Sequence, residues 1–174
     1  MKSSLPPGIT ASRSFTLLDV NGIPQTAFDP TSTAAVRMKT TFGGTVTSGV
    51  TTVVVDQKQD VTLSGLLTGV HTLNGTSLTH MTGTLGTGST PMPIDMTMSA
   101  AITNLVLPQS STGNQWPQSG TIAATITDAG FGTAFTTMAT IAFNGTSTVT
   151  VTTTVGGLTT TSTIDLANPY PVRG

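Results

Sequence analysis

The chain has 174 residues, only 7% of them charged, with a formal net charge of −1, no Glu and no Cys. An average soluble domain carries roughly 25% charged residues, so the basic patch that nucleic acid or an anionic membrane surface would require is excluded. The length suits one domain able to bury roughly 70% of its unfolded surface, enough for a core without disulfide or metal staples.

Threonine takes the place of the missing charge, with 40 copies. Its β-branched side chain favours extended backbone, and its hydroxyl keeps an outward face wet. Lys and Arg together number 6, so solvent-exposed helices lack their usual residues. No apolar run is long enough to cross a bilayer as a helix. The class expected is all-β.

In chain order, residues 1–12 read as a Pro-, Gly- and Ser-containing leader, either mobile or docked on a partner. The start carries Lys2 but no apolar stretch of the kind a signal peptide needs, so either a signal has been removed or the protein is not exported by that route, and composition favours the first. Phe15 to Leu18, Asp19-Val20-Asn21-Gly22 and Ile23-Pro24-Gln25 read as a hairpin, Asn21-Gly22 supplying both positive-φ positions of a type I′ turn. Pro24 has no N–H to donate, so the returning strand is expected at a sheet edge. A second hairpin is expected around Asn74-Gly75 and a third at Asn144-Gly145.

The longest alternation runs through Met92, Ile94, Met96, Met98, Ala100 and Ile102, with polar residues between most of them. Shorter runs follow at Ile122, Ala124 and Ile126, at Phe135 to Phe143, at Val149 and Val151, and at Ile164 and Leu166. Period two with turn residues between the runs predicts an antiparallel β-sandwich or barrel of about 8–10 strands. Breakers stand at Gly86-Thr87-Gly88, Thr112-Gly113-Asn114, Gly130-Phe131-Gly132 and Gly156-Gly157.

An internal match suggests two related β-meander halves, roughly 31–96 and 97–166, inside one domain of residues 13–168 that is followed by a tail of residues 169–174. Leu73-Asn74-Gly75-Thr76-Ser77 matches Phe143-Asn144-Gly145-Thr146-Ser147, and the same offset aligns Ile94-Asp95-Met96 with Ile164-Asp165-Leu166.

The chemistry-bearing residues are sparse. His71 and His80 are the two histidines, and hairpin pairing around Asn74-Gly75 sets His71 opposite Leu78, not His80, so exposed strand histidines are expected. Asp56, Lys58 and Asp60 fall on one face of an extended strand and read as a solvated charge cluster without the ligand density of a calcium loop. Asp95 and Asp165 each follow an inward Ile and should point outward. No Gly-x-Ser-x-Gly elbow is present, and no His and Asp are spaced to suggest a triad. Asn74-Gly-Thr and Asn144-Gly-Thr fit the glycosylation pattern, and equally a hairpin turn followed by a strand Thr. Trp116, before Pro117, either stacks on a sugar or plugs the end of a core. No catalytic, cofactor-binding or metal residue is assigned, and no cofactor is expected. Trp116, Pro24 and Ile23 are the candidate ligand or partner contacts.

Several short segments carry a resemblance: Asp29-Pro30, Thr33-Ala34-Ala35-Val36, Asp60 to Leu66, Leu73-Asn74-Gly75-Thr76, Ile102 to Pro108 and Trp116 to Ile122. Together they resemble a group of uncharacterised Thr-rich secreted or lipoprotein-like β-proteins of Gemmatimonadota-type bacteria. The resemblance covers most of residues 13–168. It departs from the group's pattern in lacking a lipid-attachment Cys and in having Leu73 where an aromatic is expected. It implies an extracytoplasmic location (periplasmic, cell-surface or secreted) and no activity.

The function expected is a non-catalytic extracytoplasmic structural or interaction domain, an accessory subunit docked on a larger assembly, with a membrane complex among the candidates. Its partners would be proteins, or further copies joined by edge strands, and not nucleic acid. The motive is a surface with little charge to prevent association and edges with few blocking residues. The alternative is a carbohydrate-binding module built on Trp116 and hydroxyl-rich loops. An ice-binding Thr array and an enzyme are weaker rivals, because the Thr pattern is irregular and acids, bases and nucleophiles do not cluster.

Overall fold

The computed structural model describes residues 7–86, 91–108, 115–130 and 132–168, and among these there is no helix. Ten strands account for most of them. These are β1 (Ile9–Leu18), β2 (Pro24–Gln25), β3 (Ala35–Ser48), β4 (Thr51–Ser64), β5 (Thr72–Leu85), β6 (Met92–Val106), β7 (Ser119–Asp128), β8 (Phe135–Phe143), β9 (Thr148–Val155) and β10 (Leu158–Asp165). All pair antiparallel in one sheet of order β10-β9-β8-β7-β6-β5-β4-β3-β1-β2. Where the sequence left a sandwich or a barrel, the structure has one ten-stranded sheet that does not close into a barrel. From β3 onward each strand lies beside the next in sequence, as short connections favour.

The strand pattern read from the sequence maps onto β6, β7, β8, β9 and β10. Pro24 does lie in the edge strand β2. Residues 9–12, read as leader, are instead the first part of β1, paired with β3 from Ile9 opposite Gly44 to Ser12 opposite Thr41; residues 1–6 lie outside the described residues. The predicted breakers at 87–88, 112–114 and 131 also lie outside them.

Two turns differ from expectation. The β1–β2 connection is not a two-residue type I′ turn, because Gly22 has a positive φ and Asn21 does not. Asp19 organises a wider loop: its Oδ1 accepts from the Asn21 and Ile23 N–H groups at 2.8 Å each, and its carbonyl accepts from Gly22 N–H at 3.1 Å. Asn74-Gly75 is not a turn at all but lies within β5. Its sequence counterpart Asn144-Gly145 does form a turn between β8 and β9, where Asn144 Oδ1 accepts from Thr146 N–H at 3.1 Å and Thr146 Oγ1 at 2.7 Å. The matched segments therefore adopt different local structures. The true tight hairpins are Gly49-Val50 and Gly156-Gly157, the latter with φ of 57° and 82° at its two central residues.

Register separates the side chains by chemistry. Cross-strand partners share a face, so successive registers trace rows across the sheet. One row runs Phe15, Met38, Val61, Gly75, Ile102, Ile122, Ile141 and Val151. Four residues along the strands, a parallel row reads Ala11, Phe42, Gln57, Thr79, Met98, Ile126, Thr137 and Val155. The opposite face collects hydroxyls: Thr16, Thr62, Thr97, Thr125, Thr140, Thr152 and Thr161 belong to it. Pairs on that face hydrogen-bond across strands, as Ser12–Thr41 at 2.7 Å, Thr127–Thr136 at 3.2 Å and Thr154–Thr159 at 2.8 Å.

Among the described residues no second layer covers the apolar face. Among the described residues the buried apolar side chains are Ala35, Leu105 and Val149. The chain exposes 11383 Å², whereas a folded monomer of its mass exposes roughly 8,000 Å². Apolar side chains on the sheet are half-covered by their strand neighbours and by nothing above them.

Two irregularities shape β6. Its register slips against both β5 and β7 near Asn104, which has a φ of 47°. Asn74 braces this bulge, its Oδ1 accepting from Asn104 N–H at 2.7 Å. Gly83 in β5 has a φ of 143°, and an added Cβ would lie 2.0 Å from the Thr52 carbonyl oxygen of β4. Gly83→Ala should therefore destabilise the domain by about 1–3 kcal/mol, read as a lowered thermal midpoint. Thr84→Ala, one residue on, is the control expected to cost much less. An unchanged midpoint for Gly83→Ala would show that β4 and β5 separate freely there.

Candidate functional site

The hydroxyl face carries one charged cluster. Arg37 and Lys39 of β3 and Asp60 and Lys58 of β4 share this face through the pairs Arg37–Thr62, Lys39–Asp60 and Thr41–Lys58. Arg37 Nε donates to Asp60 Oδ1 at 2.7 Å while its Nη2 donates to Oδ2, a two-point ion pair. Lys39 Nζ stands 3.6 Å from Asp60 Oδ2, and Lys58 Nζ stands 3.6 Å from Asp56 Oδ2. The Arg37 hydrogen bond, joined by the charges of Arg37 and Lys39, holds the Asp60 carboxyl below its ordinary 3.8 against the opposing effect of burial. The same bond raises the Arg37 guanidinium. Beside this cluster a shallow groove of about 540 Å³ crosses β3 to β7, lined among others by Lys39, Lys58, Asp60, Leu78, Ala101 and Ala123. Its charged walls are already paired with one another.

The loop before β3 is fixed by a second polar set. Thr33 is fully buried, donates from Oγ1 to Gln25 Oε1 at 2.7 Å and accepts from Asp29 N–H at 2.9 Å. Asp29 accepts from the Thr31 N–H and hydroxyl, at 2.8 and 2.7 Å. Those bonds, the backbone one foremost, hold its carboxyl below the ordinary value. This set locks the β2–β3 connection onto the sheet edge.

The structure brings together one pair that spacing did not suggest: His80 Nε2 lies 3.0 Å from Asp95 Oδ1. Hairpin pairing around Asn74-Gly75 set the wrong partners for the histidines; β5 in fact pairs with β6, placing His80 opposite Thr97 and Thr82 opposite Asp95. His71 precedes β5, and its carbonyl accepts from Leu107 N–H at 2.8 Å. Asp95 and Asp165 lie on the face opposite Ile94 and Ile164, as alternation required, and they are on different strands, β6 and β10. Among the described residues no three His, Cys, Asp or Glu side chains gather as a metal site would require. Trp116 is half-buried in the segment leading into β7, where its carbonyl accepts from Gln118 Nε2 at 3.1 Å. Ile23 and Pro24 are exposed at the β2 edge.

The apolar face has no covering layer among the described residues. It presents Phe15 at 62% exposure, Phe135 at 53%, Met92 at 48%, Met98 at 39% and Ile126 at 37%. Charge is scarce there: Arg13 in β1 and Asp128 in β7 share the face, and Asp128 Oδ1 accepts from Gly130 N–H at 2.9 Å. Of these residues Met92, Met98, Ile126 and Phe135 were legible as alternation, but alternation marks a buried face, and only the structure shows that nothing among the described residues buries it. Comparison with protein-family models, curated proteins and solved structures finds no match. Among the described residues, no helix is long and apolar enough to cross a membrane.

Acid sensitivity follows from Asp29 and Asp60. Both carboxyls have lowered folded-state values, so their stabilisation is complete above the unfolded value near 3.8 and is lost as pH falls through the lower folded values. Between pH 7 and pH 5 they contribute no slope. Below about pH 4 the domain should lose stability, and Asp60→Asn should flatten that loss, as measured by denaturant melts across pH 2–6. Identical acid limbs for the variant and the parent chain would show that the Arg37–Asp60 pair is unformed in solution.

Proposed function

We propose that the chain is a non-catalytic structural or interaction domain, an accessory subunit whose apolar sheet face is completed by docking on a larger protein assembly. The observation that carries this reading is the apolar face of the ten-stranded sheet, which has no second layer. Burial of apolar surface is the dominant favourable term in folding, and here the chain supplies one side of a core. The chain exposes roughly 3,000 Å² more than a compact monomer of its mass, as an open sheet with both faces in solvent must. With little charge on that face, the partner surface it fits is apolar, and association should depend little on salt.

An extracytoplasmic setting is part of the same reading. It is supported by the Thr-dominated hydroxyl face and the low charge. A sugar-stacking role for Trp116 has less behind it, since that residue is half-buried in the segment leading into β7. The His80–Asp95 pair lends little to a catalytic reading, because its strand partners Thr97 and Thr82 belong to the sheet ladder.

Methionines provide the test, because they stand on both faces. Met92 and Met98 lie on the apolar face, while Met138, 48% exposed, lies on the hydroxyl face in the row of Thr125. Hydroxyl-radical footprinting of the isolated chain should oxidise all three. In the assembly purified from its native source, Met92 and Met98 should be protected several-fold while Met138 stays reactive. Equal reactivity of all three in the assembly would overturn the docking assignment.

A further inference from the structure

We propose that β10 is a self-complementary edge through which two copies of this chain join into one continuous antiparallel sheet, with Thr161 opposite the partner's Thr161. This goes beyond the docking of the apolar face, because it uses backbone groups at the sheet edge and leaves both faces free.

The edge is open and regular. β10 ends the strand order and is paired with β9 alone among the described strands. Its register with β9 is unbroken from Leu158–Val155 to Asp165–Thr148, and all of its residues are exposed. Natural edges are guarded by Lys, Pro, bulges or a covering element. The other edge of this sheet has such guards: β2 with Pro24 covers the end of β1 at Leu17 and Leu18, and Arg13 stands along the rest. β10, Leu-Thr-Thr-Thr-Ser-Thr-Ile-Asp, has none of them before its terminal Asp.

The sequence of β10 favours a second copy over a foreign strand. Two identical antiparallel strands related by a two-fold axis must set residues of the same face opposite each other. In β10 the apolar face receives Leu158, Thr160, Ser162 and Ile164, and the hydroxyl face receives Thr159, Thr161, Thr163 and Asp165. With Thr161 on the axis, Leu158 meets the partner's Ile164, Thr160 meets the partner's Ser162 and Thr159 meets the partner's Thr163. Apolar meets apolar, hydroxyl meets hydroxyl, and Asp165 falls opposite the partner's Gly157, just outside that copy's β10. With Ser162 on the axis, Ile164 would meet the partner's Thr160 and Asp165 the partner's Thr159. The hydroxyl pairs already formed with β9, Thr152–Thr161 at 3.3 Å and Thr154–Thr159 at 2.8 Å, would then continue across the joint.

The absence of Cys from the chain makes the register directly testable. Residues opposite each other in antiparallel strands have Cα atoms about 4.5–5.5 Å apart, within disulfide range. Under mild oxidation Thr161→Cys should form a covalent dimer, while Ser162→Cys, offset from its own copy, should cross-link much more slowly. Thr161→Lys should weaken dimerisation about fivefold or more by placing like charges opposite each other, and mixing it with Thr161→Asp should restore a heterodimer, both followed by sedimentation velocity. Met98→Asp, on the apolar face, should leave this dimer intact. The proposal is overturned if the parent chain stays monomeric at high concentration, if both cysteine variants cross-link equally, or if Thr161→Lys has no effect. Loss of the dimer in Met98→Asp but not in Thr161→Lys would assign self-association to the face instead.

Discussion

Everything in this molecule depends on keeping a two-residue alternation in phase across ten strands. A side chain changes face when register slips by one residue, so a single unmatched slip would scatter the apolar set over both faces. The chain prevents this with hairpins of fixed length at Gly49-Val50 and Gly156-Gly157, which set the registers of β3 with β4 and of β9 with β10. Where β6 does slip, the shift is confined to its end and held by the Asn74–Asn104 hydrogen bond. The rows on the far side of the bulge stay in phase, which is why Leu105 still faces Leu73.

From that phase follow two surfaces with different physics. The hydroxyl face satisfies itself by Thr–Thr hydrogen bonds and one ion-pair cluster around Asp60, and water can cover the rest. The apolar face has no such recourse. Its side chains shield one another along rows but leave Phe15, Phe135 and Met92 about half-exposed or more. In the proposed reading this face is where assembly begins, and the sparse charge of the chain removes the repulsion that would oppose it. The two surfaces also separate the two proposed contacts. Docking uses the face, and pairing of β10 uses the edge, so one copy could do both at once.

Several short polar side chains serve geometry. Asn74 braces a bulge, Asp19 and Asn144 shape turns, and Asp29 with Thr33 pins a loop. Each uses a short side chain to satisfy backbone or neighbouring groups that irregular segments leave unpaired. His80 and Asp95 meet because β5 and β6 are adjacent, a contact that spacing alone could not reveal.

Local chemistry in the sequence was enough for the all-β class, for the strands from β6 onward, for Pro24 at an edge and for the outward placement of Asp95 and Asp165. These follow from the absence of helix formers, from period two and from the missing proline N–H, all of which act within a few residues. Asn74-Gly75 misled because the turn preference of an Asn-Gly pair is weak beside the long-range pairing of β5 with β4 and β6, where Gly75 fits tightly against Asp60. Only the tertiary structure decided that the alternating strands form one open sheet rather than two packed ones. Alternation states that one face avoids water, but a second layer, a closed barrel and a partner all satisfy that demand equally, and the choice lies in how the strands are ordered in space.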